Sequence, residues 1–185
     1  IPAAEVTPLM RSRAKAVNFG IVYGIGDFSL SRDLGVTRKT AKKYIDDYLD
    51  KYPGVKNYMH DIVEQGKKQG YVTTLFNRRR YLPELKSRNF SVRSFGERIA
   101  LNTPIQGSAA DIIKIAMVNV SRELRKRSMK SRLILQVHDE LIIEALADEK
   151  DRVVEILKEC MEKAARLDVP LKVDIKSGRS WYETK

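Results

Sequence analysis

A chain of 185 residues, 43% hydrophobic and 32% charged, is long enough to bury a core and too apolar to stay disordered. Thirty-five Lys and Arg against 24 Asp and Glu leave a formal net charge of +11, which draws a polyanion, nucleic acid before a membrane surface. No apolar run approaches the roughly 18 residues that span a bilayer, and the single Cys160 excludes an internal disulfide and suits a reducing interior. The opening Ile1-Pro2-Ala3-Ala4, without Met, reads as a piece of something longer.

Thr7-Pro8 makes a helix start, Thr as N-cap and Pro in the first helical position, and the helix runs to a stop at Gly24-Ile25-Gly26. Within it Arg11, Lys15, Phe19 and Tyr23 recur every four residues, each about 40° round from the last, and form one slowly turning stripe. Two cations lead and two aromatics follow, the polarity of a triphosphate with its sugar and base. The same spacing also describes a solvated basic face with two core aromatics. Asp27 can cap a short helix ending at Gly35, and Thr37 a longer one through Lys51 with Tyr44, Ile45, Tyr48 and Leu49 on its apolar face.

Tyr52-Pro53-Gly54 breaks that helix and another follows to Gly70, carrying a His60 without zinc-spaced partners. Tyr71 to Phe76 and Tyr81-Leu82 then predict a small hairpin around Asn77-Arg78-Arg79-Arg80, three arginines that suit a phosphate or a solvated turn. From Phe90 a helical pattern runs to Ala100-Leu101. Asn102-Thr103-Pro104 predicts a break, with Thr103 capping a second helix from Pro104 to about Arg127. Arg98, Asn102 and Gln106 keep four-residue spacing across it. Such side chains donate to the acceptors that every base pair shows in the minor groove, although Asn102 can equally be a local cap. Gly107-Ser108-Ala109-Ala110 has almost no bulk and is expected to receive the next hairpin.

That hairpin spans residues 133–144, two apolar β-branched runs around His138-Asp139-Glu140. Its acidic tip calls for a metal ion, a metal-bound phosphate ligand, or plain solvent. Asp148 can cap a helix whose Val153, Val154, Leu157, Cys160, Met161 and Ala164 form an apolar face, and Pro170 starts a last strand over 171–175. The whole is a helix-rich α+β chain that changes character between Arg88 and Arg98.

Three of these motifs together resemble one family. Arg11-Ser12-Arg13-Ala14-Lys15-Ala16-Val17-Asn18-Phe19-Gly20-Ile21-Val22-Tyr23-Gly24 is similar to the fingers-helix motif of the DNA polymerase I family, the family A DNA polymerases. Asn102-Thr103-Pro104-Ile105-Gln106-Gly107-Ser108-Ala109-Ala110-Asp111-Ile112-Ile113-Lys114 resembles its second signature, and Gln136-Val137-His138-Asp139-Glu140 its third. The resemblance implies a helical fingers subdomain over residues 1–97 and part of a palm over 98–185, with an antiparallel β-hairpin packed on helices. Arg11 and Lys15 would hold the incoming deoxynucleoside triphosphate, Lys15 also protonating the leaving pyrophosphate. Phe19 would pack on the sugar, and Tyr23 would stack at the template position as the fingers close. Arg98, Asn102, Gln106 and His138 would contact the primer-template DNA, and Asp139, with Glu140 as auxiliary, would bind two magnesium ions.

The reaction so implied is template-directed addition of deoxynucleotides to a primer 3′ end, by a nucleotidyltransferase of replication and repair. The resemblance places it in a bacterial-type cytoplasm with the nucleoid DNA and with no membrane partner. The family's first catalytic aspartate, in an upstream Asp-Tyr-Ser-Gln-Ile-Glu-like strand motif, has no counterpart in these residues. The chain is therefore expected to need the upstream part of the same polymerase as a partner and to be inactive alone. Asn77 stands where many relatives carry Gly. Two other classes compete: a non-catalytic DNA-binding module, and a metal-dependent phosphohydrolase built on His138-Asp139-Glu140, which leaves the 11–23 stripe without a role.

Overall fold

Thr7 closes the first turn of helix α1 (Pro8–Val22), accepting from the Met10 amide at 3.2 Å, in the computed structural model, which describes residues 1–184. Helix α2 (Asp27–Leu34) starts one residue earlier than expected: Gly26 is its N-cap, and Asp27 instead accepts from Arg38 Nε at 3.0 Å. Thr37 caps helix α3 (Arg38–Lys51) through the Thr40 amide, and Pro53 opens helix α4 (Pro53–Gln69). Gly70 ends α4 at φ +81°, a left-handed conformation that only Gly adopts without strain. Leu30, Leu34 and Ala41 form the core of these first helices, joined by Val17, Val36 and Ile45. Across it the Tyr48 hydroxyl donates to Asn18 Oδ1 at 2.7 Å.

Strands β1 (Tyr71–Thr73) and β2 (Arg79–Tyr81) pair antiparallel, Tyr71 opposite Tyr81. The first is shorter than the sequence suggests, and the second begins two residues earlier. Thr74 Oγ1 accepts from the Phe76 and Arg78 amides, both at 3.2 Å, and turns the chain early, so that Arg79 and Arg80 lie in a strand rather than at the turn. Ile62, Val72, Leu82, Leu85, Ala100 and Leu101 bury a second core between α4, this hairpin and helix α5 (Phe90–Lys126).

Helix α5 overturns the break expected at 102–104: it runs 37 residues with Pro104 inside it. Pro104 has no N–H to give the Ala100 carbonyl, and one residue earlier the Thr103 hydroxyl donates to the Ile99 carbonyl at 2.7 Å. Thr103 is thus a buried mid-helix residue and not a cap. The chain forms two compact units, Ile1–Gly107 and another beginning at Ser108, to both of which α5 contributes.

In the second unit β3 (Arg132–Val137) and β4 (Glu140–Glu144) pair antiparallel with an irregularity between Leu133 and Leu135. Leu141 and Ile143 pack on Val120 and Leu124 of α5 and on Val153, Ile156 and Cys160 of helix α6 (Lys150–Glu162). The apolar contacts of this hairpin on α5 fall at Val120 and Leu124, further along the helix than the small residues 107–110. At Gly107 it is Thr74 that approaches, 2.7 Å from where a Cβ would be. Asp148 lies in a 3-10 turn (Ala147–Glu149) and does not cap α6. The strand expected over 171–175 is absent among the described residues, because the Val173 amide finds the Glu162 carboxylate at 3.3 Å rather than a neighbouring strand. None of the described helices is long and apolar enough to cross a membrane.

Gly96 of α5 admits the 3-10 turn Pro83–Lys86: a Cβ there would lie 2.9 Å from Glu84 Cβ and 3.1 Å from the Leu85 amide nitrogen. Backbone cannot yield as a side-chain tip can, so Gly96→Ala is expected to lower stability by about 1–3 kcal/mol in denaturant unfolding. An unchanged midpoint would mean the turn does not bear on α5.

Candidate functional site

The stripe read from the sequence is continuous on α1. Lys15 Nζ stands 5.8 Å from the centre of the Phe19 ring, and the Phe19 and Tyr23 rings are 6.1 Å apart at 41°. Phe19 is 48% exposed, which removes the reading of both aromatics as core. Arg11 and Lys15 are exposed, and no described carboxylate pairs with either, so both cations are available to an anion. At the end of the stripe α1 meets α5: a Cβ on Gly24 would lie 2.8 Å from Leu101 Cδ1 and 3.6 Å from Arg98 Cγ. Arg98 therefore stands beside Gly24, the residue that follows Tyr23, with its guanidinium 6.0 Å over Phe95.

A second cluster lies between the β1–β2 hairpin and α5, around a cavity of about 430 Å³ lined by Arg78, Arg79, Arg80, Asn102 and Gln106. The three arginines, equivalent in sequence, divide their work. Arg78 donates to the Gly107 carbonyl at 3.1 Å, and Arg79 lies 4.7 Å over the Tyr71 ring, whereas Arg80 makes no ion pair or ring contact among the described residues. Asn102 sits inside a continuous helix, which excludes the cap reading, and its buried Oδ1 has no hydrogen-bond partner. A buried amide oxygen in that condition costs stability unless a donor reaches it from outside the chain.

The third cluster is the tip of the β3–β4 hairpin. His138 and Asp139 make a two-residue turn, His138 at φ +54°, with Gln136 Nε2 donating to the His138 carbonyl at 2.6 Å. Glu140 belongs to β4, opposite Val137, and accepts from Trp181 Nε1 at 3.2 Å. The two neighbouring carboxylates therefore differ: Asp139 is exposed at the turn, and Glu140 is engaged. Among the described residues no group of three or more His, Cys, Asp or Glu could hold a metal ion. These residues do not by themselves fit magnesium.

Sequence reasoning missed Glu149. It is 6% exposed and accepts from the Lys130 amide at 3.0 Å, the Ser131 amide at 2.8 Å and the Ser131 hydroxyl at 2.5 Å, anchoring the base of the hairpin that carries Asp139. The Ser131 hydroxyl, helped by the two amides, holds its carboxyl below the ordinary glutamate range. Its sequence signal was an acid at a helix entrance, which Asp148 shares. Cys160 is buried, and burial pushes its thiol up, away from any nucleophilic role.

A sequence model of DNA polymerase family A matches residues 1–183. The chain belongs to DNA polymerase family A. It is 60% identical over 181 residues to the DNA polymerase I of Bacillus subtilis (strain 168), covering 98% of this chain and 21% of that protein. It is 57% identical over the same shares to that of Bacillus caldotenax. The POL domain of Pol1 from M. smegmatis, solved in complex with DNA primer-template and dNTP, is 46% identical with a TM-score of 0.95, over 100% of this chain and 32% of that one. This family A segment thus spans about one fifth of the length of the curated relatives it matches.

Because the fold holds the Glu149 carboxyl below its ordinary range, the ionised form stabilises the native state. That contribution is complete above the ordinary glutamate pKa and is lost as pH falls through the folded-state value. Glu149→Gln should therefore melt earlier than the natural chain at pH 7, with the gap closing in acid below about pH 4. A gap that stays constant with pH would mean the charge is not what Ser131 and Lys130 hold.

Proposed function

We propose that this segment serves a polymerase that adds deoxynucleotides to a primer 3′ end under template direction. The observation that carries the reading is the Lys15–Phe19–Tyr23 stack beside an unpaired Arg11 on an exposed face of α1, in a chain of this family. Arg11 and Lys15 hold the triphosphate, Lys15 gives a proton to the departing pyrophosphate, Phe19 packs on the sugar and Tyr23 on the template side. Arg98, Asn102, Gln106 and His138 contact the primer-template duplex. The partnerless Oδ1 of Asn102 supports its part in this, since the minor groove of a G·C pair offers an amino donor.

Residues 1–97 act as fingers and 98–185 as part of a palm. Asp139, with Glu140 beside it, belongs to the catalytic carboxylates, and the remaining donors for divalent magnesium come from the upstream part of the same polymerase. The site of action is the cytoplasm, on the nucleoid DNA. Supporting the partners, the structural relative was solved with DNA primer-template and dNTP.

Two measurements test this. In a chain carrying the upstream sequence, a matched deoxynucleoside triphosphate should tighten primer-template binding, and Lys15→Ala should remove that effect and lower kcat/KM by about a hundredfold. No tightening would leave only a DNA-binding module. Primer extension should appear with the upstream part supplied and not with these 185 residues alone. Extension by the segment alone would mean that carboxylates within it suffice.

A further inference from the structure

The single tryptophan of the chain, Trp181, reaches across 41 residues of sequence and donates from Nε1 to Glu140 Oε2 at 3.2 Å. An indole N–H can only donate and an ionised carboxylate can only accept, so the bond has one possible polarity and is charge-assisted. Glu140 is the first residue of β4, opposite Val137 and next to Asp139 at the turn, and it is exposed. An exposed glutamate at a strand end ordinarily wanders among several rotamers. Here one contact selects among them: the indole holds Oε2, and Oε1 makes no hydrogen bond or ion pair among the described residues. We propose that Trp181 is a positioning residue, which holds Glu140 in one rotamer beside Asp139 so that the hairpin tip presents its two carboxylates in a fixed relation. The inference rests on the reading that these carboxylates take part in primer extension, and it adds a residue that lies outside all three motifs.

Trp181 is itself supported. The chain before it is tied to α6, where the Val173 amide donates to the Glu162 carboxylate at 3.3 Å. Around the indole the chain closes on itself. Glu183 Oε2 accepts from the Arg179 amide at 2.7 Å, the Glu183 amide donates to the Ser180 carbonyl at 3.1 Å, and the Thr184 hydroxyl donates to the Trp181 carbonyl at 2.9 Å. Gly178 permits the closure, since a Cβ there would lie 2.7 Å from Glu183 Cβ. A side chain carried on a loop that holds its own shape has less freedom to lose when it takes a partner, so the bond to Glu140 forms at small entropic cost.

The choice of acceptor points to the tip. The other acid of β4, Glu144, makes an ordinary cross-strand pair with Arg132 at 2.9 Å, whereas the indole takes the acid that adjoins Asp139. The two sides of the turn are then held by different means. Gln136 Nε2 fixes its backbone through the His138 carbonyl at 2.6 Å, and Trp181 fixes the first side chain beyond it. Groups that must act together gain from being in place before the substrate arrives, since misplacement by about 1 Å can cost about a hundredfold in rate.

The test uses the polymerase carrying the upstream sequence, in single-turnover primer extension. Trp181→Phe keeps a ring and removes the N–H. It should lower the maximal rate about tenfold and leave KM for the deoxynucleotide and the affinity for primer-template unchanged. In a Glu140→Ala background, slow already, the same change should cost nothing further, because its effect passes through Glu140. In protein labelled with [15N]tryptophan, the indole N–H resonance that Trp181→Phe removes should move upfield in Glu140→Ala. If Trp181→Phe fails to fold, 3-benzothienylalanine in place of Trp181, a ring of the same shape without the N–H, decides. An unchanged maximal rate, a loss confined to substrate or DNA affinity, a further loss in the Glu140→Ala background, or an unmoved resonance would each overturn the proposal. Failure of the polymerase reading looks different: the natural chain would not extend primers, or Glu140→Ala would extend them at the natural rate, and the role of Trp181 would fall with that of Glu140.

Discussion

The arrangement of the first unit depends on how closely other segments approach one face of α5. Gly96, Ala100, Thr103 and Gly107 recur at steps of four, three and four, and the chain around Glu84 and Leu85 meets the first while Thr74 meets the last. At 2.7–2.9 Å from a would-be Cβ, neither contact leaves room for a larger residue without movement. One consequence is functional. The β1–β2 hairpin carries the three arginines, and α5 carries Asn102 and Gln106, so their meeting around one cavity follows from the bulk missing at Gly107. Another is the continuity of α5 itself, since a bend at Pro104 would put Asn102 and Gln106 on different axes and dissolve the cluster.

What was legible in the sequence is what neighbours along the chain decide. Thr7 and Thr37 as caps and Gly70 as a stop are settled within a single turn, and the α1 stripe needs only the helical period. The failures share another cause. Pro104 disfavours a helix locally, yet burial of Ala100, Leu101 and Thr103 carries the helix through, so packing overrode a local preference. Residues 171–175 have strand composition and, among the described residues, no strand paired with them, and composition says nothing of neighbours. Glu149 was missed for a related reason: the amides it satisfies lie 18 and 19 residues away in sequence.

The electrostatic pattern sharpens the contrast between the faces. On α3 acids sit four residues after lysines and pair with them, Lys42 with Asp46 at 2.8 Å and Lys43 with Asp47 at 2.7 Å. Exposed pairs of this kind add little stability. Their effect is to cancel acidity locally, so that the surplus of the +11 chain is concentrated in cations without partners, Arg11 and Lys15 among them. A surface organised this way attracts a polyanion at long range and fixes where it lands by the aromatic residues standing next to the free cations.

The hairpin tip carries the clearest mark of a constraint other than stability. A two-residue turn is easiest to make with Gly where the first residue must adopt positive φ, yet His138 holds that position at +54° with Asp139 after it. The left-handed conformation costs a non-glycine residue about 1–2 kcal/mol. Among the described residues nothing recovers that cost through the two side chains, since both are exposed and the 2.6 Å hydrogen bond there uses the His138 backbone carbonyl. Replacement of His138 by Gly would relieve the backbone and lose the imidazole. Retaining a strained residue in preference to an easy one makes sense where the side chains act on something outside this chain, with Glu149 holding the base of the hairpin so that its tip can be presented.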